Sequence, residues 1–177
     1  MPVHARVQSG SLKVPLIVIR SAALLNLSSP AYPLAINKYL GKISGPLLDR
    51  IDIHIEVKPV KYEKLSSNES PEKSEAIKQR VDKARKIQLE RYKNIGIFSN
   101  SGLTPKLIEK YCKIDEKGEK ILRNAFKKLG LSARAYGRIL KVARTIADLD
   151  NEEGINYQHL AEAIQYRSLD RKYGEID

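Results

Sequence analysis

Residues 132–149, SARAYGRILKVARTIADL, carry the clearest helical pattern in this chain. Their apolar side chains recur every three or four positions, which places them on one face of an α-helix. Ser132 stands just before this pattern and belongs to the residue types preferred at a helix N-cap. We therefore predict a helix that begins after Ser132 and turns inward Tyr136, Ile139, Leu140, Ala143, Ile146 and Ala147.

Three more helices are predicted around this one, each from a start or stop signal. Thr104, which is followed by proline, opens the first, Asp115 caps the second, and Asn156 caps the last. Gly130 ends the second helix at a position where a left-handed residue is common. Because the connecting loops are short, residues 104–166 are predicted to form a compact four-helix unit with one core.

A longer helix is predicted upstream, from Pro71 to about Lys93. Eight Lys or Arg residues and four Asp or Glu residues lie in this range. The residues near one apolar stripe are Ile77, Val81, Ala84, Gln88 and Tyr92. The pattern predicts a helix with one buried stripe and a basic remainder.

Residues 50–57, RIDIHIEV, predict a β-strand because β-branched apolar residues alternate with polar ones. The period of two gives this strand one buried face and puts His54 on the exposed face. The neighbouring strands of a full sheet are not evident, so we expect this strand to lack partners. Short helical segments are predicted before it, at 34–40 and 44–48.

Residues 1–33 differ in character from the rest of the chain. Val14–Ile19 (VPLIVI) is a short apolar run that fits either a buried strand or a surplus segment. A secretion signal is the less favoured alternative, because Pro15 and Arg20 interrupt the apolar stretch. We leave residues 1–33 unassigned and expect them to be disordered or translated from a different reading frame.

The composition narrows the classes of site. The 177 residues contain one cysteine, so an intramolecular disulfide and a cysteine-built metal site are excluded, and the three histidines lack metal-ligand spacing. No apolar run reaches the roughly 18 residues of a membrane span, so we expect no membrane contact and a cytoplasmic location. The net charge of +11 favours anionic partners such as nucleic acid, or a solvated basic surface.

No phosphate-binding loop is recognisable in the sequence. Gly41-Lys42-Ile43-Ser44 resembles the last residues of such a loop, but the preceding glycine is missing and Ile43 separates the lysine from the serine. No predicted strand ends in paired acidic residues that could hold Mg²⁺. We therefore predict that this chain alone binds no nucleotide and no metal.

Two arginines stand where charged side chains commonly act. Arg50 lies between a predicted helical turn and the strand, flanked by Asp49 and Asp52. Arg134 lies in the first helical turn after Ser132, where a cation opposes the helix dipole unless an anion is present. From the residues alone, an ion pair of Arg50 with its aspartates and a solvated Arg134 stay open.

Three motifs together resemble the C-terminal part of the magnesium-chelatase-related AAA+ ATPases, the YifB or ComM competence protein family. The motifs are SGPLLDRIDIHIEV at 44–57, GLSARAYGRILKVARTIADL at 130–149 and HLAEAIQYR at 159–167. The resemblance covers about residues 34–172. It implies a mainly α fold, in which the helical lid bundle of an AAA+ ATPase follows a remnant strand of the α/β core.

The resemblance also implies a division of the chain. Residues 34–60 correspond to the end of the AAA+ core with the arginine-finger strand. Residues 61–103 correspond to a linker that contains the long basic helix, and residues 104–172 to the C-terminal lid domain.

Roles for the two arginines follow from the same resemblance. Arg50, in Leu-Leu-Asp-Arg, corresponds to the arginine finger, which acts in trans on the γ-phosphate in a neighbouring subunit. Arg134, in Ser-Ala-Arg-Ala, corresponds to the sensor-2 arginine, which contacts the nucleotide phosphate of its own subunit. The planar, permanently charged guanidinium suits both roles. For intact family members the resemblance implies ATP, Mg²⁺, a homohexamer and ATP hydrolysis, with DNA processing during natural transformation in the ComM members.

The sequence lacks the Walker A loop and the Walker B strand that family members carry, so we expect a truncated gene product that is inactive alone. Whether it acts as an enzyme stays open. One alternative is a small basic helical DNA-binding module, whose basic face would join residues 71–93 to Arg138, Lys141 and Arg144. Another is a regulator that docks onto full-length family hexamers.

Overall fold

The structure is a computed structural model, and it describes residues 18–20, 50–57 and 72–167. The helices predicted at 34–40 and 44–48 lie outside these residues, as does most of the segment 1–33. Five α-helices and one 3-10 turn follow one another in the described part. They are α1 (Ser74–Tyr92), the turn Asn100–Gly102, α2 (Pro105–Tyr111), α3 (Glu116–Leu129), α4 (Ala133–Leu149) and α5 (Tyr157–Gln165).

Helix α4, the segment with the strongest sequence pattern, is the centre of the bundle. It packs against α1, α2, α5 and the 3-10 turn, while α3 packs against α5. The mainly α fold predicted from the sequence is confirmed. Buried side chains from every helix form one core: Tyr92, Leu103, Ile108, Cys112, Leu122, Ile139, Leu140, Ala143, Ile146, Ala147, Ile155, Leu160 and Ala163.

The predicted caps of α3, α4 and α5 are confirmed. The carboxylate of Asp115 accepts the Gly118 N–H at 2.7 Å, and the Ser132 hydroxyl accepts the Ala135 N–H at 3.2 Å. The side chain of Asn156 accepts two N–H groups at the start of α5. Gly130 ends α3 with φ of 60°, a left-handed conformation that glycine adopts at low cost.

The C-terminal half of α1 belongs to the bundle. Tyr92 is fully buried, and its ring meets the ring of Tyr111 edge-on, with 5.3 Å between centroids. The predicted stripe of α1 is only partly buried, because Ile77 and Val81 are each 41% exposed. The bundle covers this stripe only from Ala84 onward. The predicted helix is therefore correct, but the prediction that the whole stripe is buried was wrong.

Tyr136, predicted to face inward from α4, is 40% exposed. It lies in the first turn of α4, and its ring contacts the half-buried ring of Phe126 at 6.1 Å between centroids. The prediction for Tyr136 was therefore wrong. A regular period does not show where a helix passes the edge of its bundle.

Two short strands pair in parallel: β1 (Val18–Arg20) and β2 (Ile55–Val57), with Val18 opposite Ile55. The expectation that the strand at 50–57 lacks partners was wrong, because part of the segment 1–33 supplies one. The strand is also shorter than predicted, since residues 51–54 do not join the ladder.

His54, predicted on an exposed face, is buried. Residues 51–54 leave the sheet and pack against the end of α5, where the N–H of His54 donates to the carbonyl of Tyr166 at 2.9 Å. A period-two pattern assigns faces only where a strand continues, so the burial of His54 follows from a contact that the pattern does not contain.

The cap of α5 gives a first test of the fold. Asn156→Ala removes the side-chain acceptor for the N–H groups of Gln158 and His159, while the backbone N–H of residue 156 that donates to His159 Nδ1 is retained. We expect a loss of about 1 kcal/mol in the free energy of unfolding. Chemical denaturation followed by helical circular dichroism measures this loss.

The matched control is Asn94→Ala, at an exposed residue in the loop after α1. It should change the free energy of unfolding by less than about 0.5 kcal/mol. Equal effects of the two substitutions would contradict a stabilising role for the Asn156 cap.

Candidate functional site

The segment that begins at Arg50 is fixed to the end of α5 by its backbone. The guanidinium of Arg167 donates to the carbonyl of Ile51, and the Tyr166 carbonyl accepts the N–H of His54. Ile51 is buried, whereas Arg50, immediately before it, is exposed. The end of α5 therefore holds residues 51–54 in place and leaves the Arg50 side chain on the surface.

A side-chain ion pair adds a second attachment, this time to α4. The carboxylate of Asp52 accepts a hydrogen bond from the guanidinium of Arg138, and the two side chains are 35% and 24% exposed. Asp52, the alternative partner predicted for Arg50, thus binds Arg138. Asp49 lies outside the described residues. We call Asp52, Arg138 and Arg167 the clamp.

Arg134 lies four residues before Arg138 on α4 and is exposed. The helix repeats every 3.6 residues, so Arg134 and Arg138 lie on the same side of α4, one turn apart. The first turn of α4 offers backbone N–H groups, of which Ser132 caps one. The clamp therefore places the segment that starts at Arg50 against the helix that carries Arg134.

Lys141 adds positive charge beside the clamp. Its ammonium donates to the carbonyl of Ser101 at 3.0 Å. Burial lowers the pKa of Lys141, the charge of Arg138 lowers it further, and the carboxylate of Asp52 opposes the shift. Asp52 therefore faces two basic groups of α4, Arg138 and Lys141.

Asp148, near the end of α4, is the centre of a buried polar cluster. Its two oxygens accept both terminal nitrogens of Arg91 at 2.6 and 3.0 Å, Asn100 Nδ2 at 2.8 Å and Arg144 Nε at 3.2 Å. Tyr92 donates its hydroxyl to Asn100 Oδ1 at 2.7 Å. We call Arg91, Asn100, Arg144 and Asp148 the hub. It joins α1, the 3-10 turn and α4.

The charges of the hub are satisfied by one another and by the backbone. Arg144 donates its remaining nitrogens to the carbonyls of Glu152 and Glu153 at 2.6 and 2.7 Å. Burial opposes the charge of Arg91, but its hydrogen bonds to Asp148 outweigh that effect, so the pKa of Arg91 is raised. The Asp148 carboxylate thus accepts from four donors inside the core, which offsets the cost of burying these charged groups. The hub therefore fixes the loop after α4 and the end of α1.

The hub also removes residues from the basic face that the DNA-binding alternative needs. Arg144 is buried and paired with Asp148, and Arg138 is paired with Asp52. On α1, Arg80 pairs with Glu72 at 2.7 Å. Arg144 therefore cannot contribute to such a face, and Arg138 and Arg80 could contribute only as members of ion pairs.

Cys112, the single cysteine, packs in the core near the end of α2. Burial raises the pKa of its thiol to about 11, so the thiol stays protonated at neutral pH. A protonated, buried thiol is a poor nucleophile and a poor metal ligand. Cys112 is therefore a packing residue.

Potential metal ligands are scattered over the part of the chain that the structure describes. Within 18–20, 50–57 and 72–167, His, Cys, Asp and Glu side chains do not gather in groups of three or more that could hold a metal ion. In the same part of the chain, none of the helices combines the length and the apolar character required to cross a bilayer.

Comparison with known proteins relates the helical bundle to a family. The family described as "Magnesium chelatase, subunit ChlI C-terminal" matches residues 71–167, a range that begins just before α1 and ends at Arg167. The chain belongs to this family. The family described as "Magnesium chelatase, subunit ChlI" matches residues 26–65, which include Arg50 and Asp52.

Named relatives agree with this membership. The Competence protein ComM of Haemophilus influenzae is 46% identical over 78% of this chain and 27% of its own length. The protein YifB of Escherichia coli is 42% identical over 76% of this chain and 26% of its own length. This magnesium chelatase family chain therefore spans about a quarter of the length of these relatives. The resemblance to the ComM and YifB proteins is confirmed.

The sequence predicted Arg50 and Arg134 as site residues, and this stays a prediction, whereas the clamp and the hub were not predicted. In the clamp, Asp52 and Arg138 are 86 residues apart in the sequence. In the hub, Arg91 and Asp148 are 57 residues apart. One signal was available, because Arg144 and Asp148 carry opposite charges at i,i+4 spacing on a predicted helix.

Proposed function

We propose that this chain supplies the arginine-finger segment and the nucleotide-sensing lid of an ATP-hydrolysing motor of the magnesium chelatase family. The observation that carries the proposal is the clamp, which holds the segment of Arg50 against the helix of Arg134. Both arginines are exposed, as a group that contacts a ligand on another domain or subunit must be. In this proposal Arg50 acts on the nucleotide of a neighbouring subunit and Arg134 on that of its own.

The chemistry of the two side chains fits phosphate. A guanidinium presents a planar fork of donors that matches phosphate oxygens and stays charged at any physiological pH. Arg134 stands at the first turn of α4, where the helix dipole already favours an anion. A phosphate there offsets the repulsion between that dipole and the Arg134 cation.

The chain provides contacts to a nucleotide rather than a cradle for one. A triphosphate needs several backbone N–H groups from a glycine-rich loop, together with Mg²⁺ ligands. The sequence shows no such loop, and we propose that the upstream part of intact family members supplies the loop and the Mg²⁺ ligands. ATP bound there would supply the reacting phosphoryl group and Mg²⁺ would offset charge on its oxygens, while Arg50 would stabilise the charge that develops on it.

The substrate of the intact motor is proposed from its relatives. The Haemophilus influenzae relative is named a competence protein, and the family resemblance implies DNA processing during natural transformation in such members. We propose DNA as the substrate and a homohexamer as the working assembly. DNA-stimulated ATP hydrolysis by the graft described next supports this substrate, and turnover that does not respond to DNA contradicts it.

A graft tests the proposed function. Residues 34–172 replace the corresponding part of the Haemophilus influenzae relative, so that its upstream sequence is joined to this finger and lid. We expect ATP turnover comparable with that of the unaltered relative. A folded, hexameric graft without turnover would remove the proposal.

The isolated chain should bind ATP weakly or not at all. Titration of the 177-residue chain with ATP and Mg²⁺ in a calorimeter is expected to give no saturable heat up to millimolar ATP, because one arginine at a helix start is a single contact. ADP serves as the comparison. Saturable micromolar binding of ATP would show that the chain holds a phosphate-binding loop of its own. That result would contradict the proposal that the upstream part of intact family members supplies this loop.

A further inference from the structure

The segment that carries Arg50 is held by contacts rather than by secondary structure. Residues 51–54 belong to neither a helix nor a strand, and their bonds to Arg138, Tyr166 and Arg167 attach them to the helical bundle. Two of these bonds reach the end of α5, and the third reaches α4. The position of Arg50 therefore depends on the positions of α4 and α5.

The ion pair joins two short spans of chain, one of which is helical. Arg134 and Arg138 are four residues apart on α4, which corresponds to about 6 Å along the helix axis. Arg50 and Asp52 are two residues apart, which corresponds to at most about 7 Å of extended chain. The path from one arginine to the other thus contains one turn of helix, one ion pair and one dipeptide step.

The ion pair is placed where a charge contact is stronger than on an open surface. Both side chains are more than half buried, at 35% and 24% exposure. The adjacent Lys141 adds attraction for the Asp52 carboxylate. Removing either charge leaves its partner in a partly desolvated position, so the contact resists opening.

We propose that Asp52 and Arg138 are positioning residues that hold Arg50 at a fixed place relative to Arg134, so that the finger moves as one body with the sensor helix. The proposal rests on the proposed function for the roles of the two arginines. A displacement of α4 by a nucleotide at Arg134 then also displaces Arg50. The nucleotide state of one subunit thereby changes the finger that it offers to a second copy.

Spin-label distances in the 177-residue chain test this coupling without nucleotide. Arg50→Cys and Arg134→Cys provide the two label sites, since both positions are exposed. Cys112 stays in place, because it is 3% exposed and its burial shields it from the labelling reagent. Double electron–electron resonance then measures the distribution of distances between the labels.

We expect a narrow distribution in the labelled parent chain. Asp52→Asn and Arg138→Gln should each widen it by about twofold, because the freed segment samples further positions. Asp52→Glu keeps the charge and should keep the distribution narrow. The matched control is Arg80→Gln, which breaks the exposed Arg80–Glu72 pair and should leave the distribution unchanged.

Circular dichroism checks that the bundle remains folded in each variant. If a neutral variant loses helix, the width of the distance distribution in Asp52→Glu, which keeps the charge, tests the proposal instead. An unchanged distribution in both Asp52→Asn and Arg138→Gln overturns the proposal, as does equal widening in the Arg80→Gln control. Because no nucleotide is used, the outcome is independent of ATP turnover. If the distance distribution stays unchanged in the clamp variants while substitution of Arg50 still abolishes ATP turnover in the graft, the coupling between Arg50 and Arg134 is wrong and the proposed function is retained.

Discussion

Arg50→Ala is expected to lower ATP turnover of the graft by about 10³-fold or more while leaving nucleotide affinity nearly intact. A finger stabilises charge that develops on the transferred phosphoryl group, so its loss affects the transition state more than the bound ground state. Steady-state ATPase assays measure the turnover number, and binding of a fluorescent nucleotide measures the affinity. The exposed position of Arg50, outside the core, makes loss of folding an inadequate explanation for such a result.

The matched control for this prediction is Arg123→Ala, which removes an exposed arginine from α3. Its turnover should equal that of the parent graft. Normal turnover in Arg50→Ala would show that the finger assignment is wrong and that Arg50 is a surface charge. An equal loss in both variants would point to a general effect of charge instead.

The second large effect is expected in the hub. Asp148→Ala removes the acceptor of Arg91, Asn100 and Arg144 together and leaves two guanidinium groups without their carboxylate. Breaking a buried pair from one side costs about 3–5 kcal/mol, so much of the stability of a domain this size would be lost. Urea denaturation of the chain, followed by helical circular dichroism, measures the free energy of unfolding.

Asp82→Ala is the comparison for Asp148→Ala, because Asp82 is an exposed carboxylate of α1. Its effect should stay within about 0.5 kcal/mol. Asp148→Asn retains the shape of the side chain and removes its charge, so we expect it to fall between the two. A small effect of Asp148→Ala would mean that the hub arginines find water or other acceptors.

Local signals in the sequence located helices and caps well. Asp115, Ser132 and Asn156 act within three residues of their own positions, so nothing beyond the neighbouring sequence is needed to assign them. Burial was harder to predict. Ile77 and Tyr136 lie on correctly predicted helices but at the edges of the bundle, and helical period alone does not reveal the edge.

The candidate site shows the same contrast between local sequence signals and contacts of residues that are far apart in the chain. Arg50 and Arg134 stand in motifs that are continuous in sequence, so resemblance to a family was sufficient to propose them. The clamp joins Asp52 to Arg138 across 86 residues, and no local pattern pairs them. His54 was misassigned for the related reason that its burial comes from the end of α5, far along the chain.

Subunit mixing is the most direct measurement of the central claim, that Arg50 acts in trans and Arg134 in cis. Graft subunits carrying Arg50→Ala are mixed with subunits whose Walker loop is inactivated, and ATP turnover is followed over the mixing ratio. The mixture should recover activity, because an intact nucleotide site then faces an intact finger from the other subunit. The same experiment with Arg134→Ala should recover none, since every intact Walker loop still lies in a subunit without Arg134. No recovery with Arg50→Ala, or equal recovery with Arg134→Ala, would contradict the account.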